Sequence, residues 1–145
     1  MLGRLANCWR TEPRYLGRRA EALARARLEA RGWRCMGQRV RTPQGELDLV
    51  LERGSAWLCV EVKSGRWRGP QARHRPASHY TRRQSERQER AARALASQLG
   101  RPLPERWLVE LLFEASGRCA YEVWTRADEL HRGSRRGGAS GKNRP

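Results

Sequence analysis

Two short stretches of the chain alternate between apolar and polar residues. Leu47, Leu49 and Leu51 alternate with Glu46, Asp48 and Glu52, and Leu58, Val60 and Val62 alternate with Cys59, Glu61 and Lys63. A period of two predicts a pair of strands, each with one buried face. The connection Arg53-Gly54-Ser55-Ala56 contains a glycine and suits a four-residue hairpin loop.

Before this hairpin the period changes. From Tyr15 to Arg31 the residues are helix formers, and Leu16, Ala20, Leu23, Ala24 and Leu28 share one face, with Gly32 placed to stop the helix. Trp33 to Val40 predicts a first strand, and Arg41 to Gln44 a turn. After the hairpin, Ser64 to Ser78 reads as a long loop with Gly65, Gly69, Pro70 and Pro76. A second helix is expected from His79 to Leu99, its first half polar enough to lie on the surface. Arg106 to Glu114 is nearly continuous in apolar residues, as suits a strand covered on both faces. Arg118 to Trp124 is a further strand. Thr125 is placed to cap a short helix to His131, with Asp128 at its third position. The order is helix-strand-strand-strand-helix-strand-strand, an α/β layer with a mixed sheet. One domain is expected over 15–131, after a flexible lead-in (1–14, with Trp9) and before a disordered basic tail (132–145).

Charge narrows the partners. The 145 residues carry 31 Lys and Arg against 15 Asp and Glu, a formal net charge of +16 that argues for a polyanion, nucleic acid first. All but two of the basic residues, Lys63 and Lys142, are arginine, which binds phosphate through a planar fork. Cys8, Cys35, Cys59 and Cys119 form no Cys-x-x-Cys pair, so neither a zinc site nor a disulfide framework is expected. Met1 to Arg14 holds no apolar run of signal-peptide length, and no stretch approaches a membrane span. A cytoplasmic protein with no membrane partner is expected.

The hairpin register carries candidate chemistry. If Glu52 faces Trp57, then Asp48 faces Glu61 and Glu46 faces Lys63, with β-carbons about 5 Å apart. Facing carboxylates repel unless a positive charge lies between them, and a hard divalent cation such as Mg²⁺ answers that need. Ordinary charged residues on a wet sheet face are the plainer alternative. Glu21 borders the apolar stripe of the first helix. It either points toward the carboxylates or pairs with Arg18 or Arg25. The loop residues Arg66, Trp67, Arg68 and Arg73, with Arg41, Arg82 and Arg83, are candidates for contact with a phosphate backbone or an unstacked base.

The spacing Asp48, twelve residues, Glu61-Val62-Lys63 resembles the core of the restriction-endonuclease-like PD-(D/E)xK nuclease superfamily. With Glu21, Gly32-Trp33, Arg41 and Gly45-Glu46-Leu47-Asp48-Leu49-Val50, the chain resembles the YraN-like family of small bacterial proteins from Tyr15 to Leu130. The resemblance implies a restriction-endonuclease-like fold and a metal-dependent endonuclease acting on DNA. It implies Asp48 and Glu61 as ligands of Mg²⁺ or Mn²⁺, Lys63 as the residue that assists the attacking water, and Glu21 as a completing carboxylate. The carbonyl of Val62 is a candidate further ligand, and Glu46 and Gln84 are supporting residues. Three positions depart from the family pattern: Arg39 where Asn is usual, Arg82-Arg83 where Lys precedes the retained Gln84, and Leu108 where Asp is frequent. Cutting both strands would call for a homodimer, by analogy of fold. The rival expectation is a non-catalytic nucleic-acid-binding protein on the same fold.

Overall fold

The computed structural model describes residues 13–70, 80–130 and 145. Helix α1 (Pro13–Glu29) leads into strands β1 (Arg34–Thr42), β2 (Gly45–Arg53) and β3 (Ala56–Arg66), followed by helix α2 (Arg82–Leu99) and strands β4 (Glu105–Phe113) and β5 (Cys119–Arg126). The expected order of elements is therefore present. The five strands form one mixed sheet in the order β1-β2-β3-β4-β5. Only β3 and β4 run parallel. A parallel pair needs a long crossover, and the segment containing α2 supplies it.

Two apolar clusters place the helices on opposite faces. Leu16, Ala20, Ala24 and Leu28, spaced by four on α1, pack on Leu49, Leu51, Leu58, Val60 and the apolar face of β4. Ala91, Ala92, Leu95 and Ala96 of α2 pack on the alternate residues Val50, Trp57 and Cys59. Both faces of the central strands are thus covered, and Leu49, Val50 and Leu51 are all buried. The helices end as their sequences direct. Gly32, at φ +85°, lets Trp33 N–H return to Leu28 O at 3.1 Å and so stops α1. At the start of α2, Thr81 Oγ1 accepts from the Gln84 N–H at 3.2 Å, while Gln84 Oε1 accepts from the Thr81 N–H at 3.0 Å. This reciprocal cap fixes the first turn of α2, where residues of the site below are carried.

Several expectations change. The hairpin register is as expected from Leu49↔Val60 to Glu52↔Trp57, but Arg53 pairs with Ala56, so the loop closes on two residues rather than four. The β2–β3 ladder stops at Leu49↔Val60, so Asp48 is not a ladder partner of Glu61, nor Glu46 of Lys63. Leu47 joins the α2 cluster, whereas Leu49 and Leu51 join the α1 cluster. The alternation breaks at Asp48, where the strands part. β1 extends through Arg41 and Thr42, which leaves a turn of Pro43 and Gln44. β3 runs on to Arg66, so Ser64–Arg66 is strand rather than loop. It is drawn on by pairing with β4 up to Arg66↔Phe113. Thr125 lies within β5, paired with Leu108, and residues 127–130 form a turn in place of the short helix. The first half of α2 is not all surface, because Ser85 and Gln88 are buried. Of the flexible lead-in expected over 1–14, Pro13 and Arg14 belong to α1, while residues 1–12 with Trp9, Arg73 and residues 131–144 lie outside the described residues.

Replacing Thr81 by Ala removes one half of the cap. The unfolding free energy should fall by about 1 kcal/mol in urea titration, with an unchanged denaturant slope.

Candidate functional site

The site lies where β2 and β3 part. Beyond Leu49↔Val60 the two strands no longer exchange ladder bonds. The Val62 N–H turns instead to the Asp48 side chain and donates to its Oδ2 at 2.8 Å. A side chain has replaced a backbone acceptor, so the carboxylate is held inside the sheet. Glu61 stands next to this contact. Its Oε1 receives the Lys63 ammonium at 2.9 Å, both side chains being half-buried.

The electrostatics show the same gathering. The Asp48 carboxyl is pushed up to about 7, first by burial and then by the charge of Glu61. The Val62 N–H opposes this, Glu21 adds to it, and Lys63 opposes it weakly. Asp48, Glu61, Glu21 and Lys63 therefore act on one another, although the expected ladder pairing is absent. Glu21 pairs with neither Arg18 nor Arg25. Its Oε2 receives Arg39, with Nη2 at 3.1 Å and Nε at 3.2 Å. Arg39 has φ +49°, a left-handed conformation that Asn adopts more readily than Arg.

One cavity opens on this point, and another lies at the Glu21–Arg39 pair. The first, of about 350 Å³, is lined by Gly45, Glu46 and Asp48 of β2 and by Glu61 of β3. Its other wall is α2, through Gln84, Arg87 and Gln88. The second, of about 390 Å³, is bounded by Gly17, Arg18, Glu21 and Arg39. Gly45 has φ +143°, and a β-carbon there would stand 3.2 Å from Arg87 Cγ. The glycine thus admits the stem of Arg87 to the cavity wall. Arg87 and Gln88 were not among the sequence candidates. Gln84, Arg87 and Gln88 are spaced by three and four, a polar stripe on a packed helix face, and that spacing was the available signal. Tyr80 was missed as well. It is buried, and its hydroxyl donates to Gln88 Oε1.

The remaining candidates are dispersed. Glu46 lines the cavity and lies 3.8 Å from the exposed Arg41 Nε. Val62 contributes its N–H, as described. Arg82 is engaged by Glu86 at 3.0 Å, and Arg68 and Arg83 are exposed. Arg66 is an exposed strand residue. Trp67 is held to the sheet, not on a free loop. Its N–H donates to Phe113 O at 2.8 Å, and its ring stacks on Tyr121 with centroids 5.9 Å apart.

Among the described residues, no group of three or more His, Cys, Asp or Glu side chains is gathered as a ready metal cluster. The donor set is two carboxylates, with Asp48 raised first by burial and then by the charge of Glu61. Two hard oxygen donors with room for water or a ligand are the number and type that Mg²⁺ and Mn²⁺ accept. The residues present therefore fit such an ion. Elsewhere, Glu110 of β4 is buried, its Oε2 has no hydrogen-bond partner among the described residues, and burial pushes its carboxyl up to about 7. No helix among the described residues is long and apolar enough to cross a membrane.

Comparison with known proteins gives the same extent of similarity. The sequence profile of Uncharacterised protein family UPF0102 matches residues 20–130. A UPF0102 protein of Parvibaculum lavamentivorans is 47% identical over 77 residues, covering 53% of this chain and 54% of the relative. One from Caulobacter vibrioides is 49% identical over 53 residues, 37% of this chain and 42% of the relative. One from Sphingopyxis alaskensis is 52% identical over 52 residues, 36% and 42% of the two chains. The matched segments span about half or less of the length of these relatives.

The raised carboxyls make stability depend on pH. An acid whose folded-state pKa lies above its unfolded value binds the extra proton in the native state, so its contribution falls as pH rises between the two values. For Asp48 that window runs from 3.8 to about 7 and for Glu110 from 4.5 to about 7. Asp48→Asn and Glu110→Gln should each raise the unfolding free energy at pH 8 by about 1–3 kcal/mol. Each gain should vanish as unfolding is followed down to pH 3.5.

Proposed function

The chain belongs to Uncharacterised protein family UPF0102, and within it we propose a metal-dependent endonuclease that hydrolyses phosphodiester bonds of DNA. The observation that carries this reading is the meeting of Asp48 and Glu61 at the parting of β2 and β3, with Lys63 on Glu61 and a cavity in front. A restriction-endonuclease-like arrangement of the α/β layers belongs to the same proposal. Asp48 and Glu61 would hold Mg²⁺ or Mn²⁺, with the Val62 carbonyl as a further oxygen. Such an ion supplies Lewis acidity toward a phosphoryl oxygen and acidifies a water. Lys63, beside Glu61, would steady the attacking water and offset the charge that develops on the phosphoryl group. Glu21 completes the acidic side, with Arg39 controlling its direction. Gln84 and Glu46 frame the cavity, and Arg87 offers a guanidinium to the backbone of the DNA. The exposed arginines Arg41, Arg66, Arg68 and Arg83 supply the non-specific part of binding, which weakens as salt rises.

The Lys63–Glu61 ion pair favours a second reading, a nucleic-acid-binding platform without catalysis. An amine already neutralising one carboxylate reduces the need for a cation. Calorimetry separates the two: the nuclease reading expects heat on adding Mn²⁺ that is lost in Asp48→Ala.

Cleavage decides. Wild-type protein with Mg²⁺ or Mn²⁺ should cut at least one member of a panel of duplex, flap, junction and single-stranded DNA. Chelator should abolish the activity, and Asp48→Ala or Lys63→Ala should lower it by about 100-fold or more. Undiminished cleavage in both variants would reject these roles.

A further inference from the structure

Gln88 has a carboxamide with only one end in use. It is 4% exposed, lies on α2, and lines the cavity that Asp48 and Glu61 share. Its Oε1 accepts from the Tyr80 hydroxyl and stands 3.4 Å from Arg106 Nη1. Arg106 is itself fixed, donating to Ser85 O at 3.0 Å. A guanidinium can only donate, so the atom facing it must be the amide oxygen, and the direction of the carboxamide follows. The Nε2 at the other corner finds no hydrogen-bond partner among the described residues.

A buried donor left unpaired costs about 1–3 kcal/mol, and native proteins keep few of them. Here the arrangement is specific. Two donors on separate elements hold the oxygen, Tyr80 before the helix and Arg106 on β4. The side chain cannot turn its nitrogen away without facing the guanidinium with another donor. What the nitrogen lacks is an acceptor, and the cavity that Gln88 lines is the space by which one would enter. Neither neighbouring acid is recorded as bonding this nitrogen: Asp48 Oδ2 accepts from Val62, and Glu61 Oε1 from Lys63. Arg87 lines the same wall, one residue before Gln88.

We infer that Gln88 is a substrate-contacting residue whose amide N–H donates to a non-bridging oxygen of a phosphodiester drawn into this cavity. The assignment rests on the nuclease reading, and it gives that site a neutral donor alongside Lys63 and Arg87. A preoriented, desolvated donor is the kind that strengthens as charge builds on a phosphoryl oxygen. The Tyr80–Gln88–Arg106 chain makes Tyr80 and Arg106 positioning residues, since they act by fixing the carboxamide and do not touch the substrate themselves.

The test uses Gln88→Glu on the full chain. Glutamate keeps an oxygen for Tyr80 and Arg106, so the melting temperature should stay at or above the wild-type value. It removes the N–H and adds a negative charge where the phosphodiester would sit. Affinity for a fluorescein-labelled DNA that the wild type binds in Ca²⁺ should fall at least 10-fold, and cleavage in Mg²⁺ by about 100-fold. In ¹⁵N-labelled wild-type protein, the side-chain amide protons of Gln88 should move downfield on adding that DNA with Ca²⁺. Wild-type binding with no movement of these protons, and a Gln88→Glu variant that binds equally well, would overturn the assignment and leave the nuclease reading standing. Binding with the shift but without cleavage would support Gln88 while removing the hydrolysis. A wild type that binds no member of the panel would overturn both.

Discussion

One hydrogen bond organises the molecule: Val62 N–H to the carboxylate of Asp48, at 2.8 Å. Continued pairing of β2 with β3 would have made two ordinary strands with no gap between them. By accepting from Val62, Asp48 satisfies a backbone donor where the ladder ends, which makes the parting tolerable inside a packed sheet. The same contact fixes the carboxylate beside Glu61 and pulls against the burial that keeps the group half-protonated near neutrality. The cavity opens where this side chain takes the place of a ladder partner, and there Glu61, with Lys63 on it, stands beside the buried carboxyl.

The scaffold around this point is packed on both faces. α1 and α2 cover opposite faces of the central strands, each through a stripe of small and branched apolar residues. Polar groups sit where the two layers leave room: Glu21 with Arg39 from the α1 side, and Gln84, Arg87 and Gln88 from the α2 side. Several are in states that folding alone would not select, among them an arginine at φ +49°, a carboxyl raised to about 7 and an orphaned amide nitrogen. Locally unfavourable features of this kind support the proposed site.

Much of the fold was legible because period and punctuation agree. Leucines and alanines spaced by four gave α1, and glycine gave its end. The alternation in β2 and β3 gave the register through Leu49↔Val60, and the apolar run of β4 gave a strand covered on both faces. The pattern failed where side chains compete with the backbone. Nothing in the alternation of Leu47, Leu49 and Leu51 reveals that Asp48 will take the Val62 N–H and send Leu47 to the other cluster. The charged first half of α2 reads as surface because composition does not reveal that Ser85 and Gln88 are buried, with Gln88 tied to Tyr80 and Arg106. Thr125 has the chemistry of a helix cap, yet its pairing with Leu108 in β5 decides its fate. The four candidate residues, Asp48, Glu61, Lys63 and Glu21, stand on their types, their spacing and the family resemblance. The walls around them were not legible, since those depend on which face of α2 meets the sheet.

The early end of the β2–β3 ladder also decides what supports each side of the cleft. Past Leu49, the tip of the β1–β2 hairpin from Val40 to Leu47 keeps its lateral bonds to its own partner strand. It is moored to α2, through Leu47 in the apolar cluster of that helix and the approach of Gly45 to Arg87. The two acids thereby rest on separate supports: Asp48 on a ribbon tied to a helix, and Glu61 on the parallel pair that β3 makes with β4.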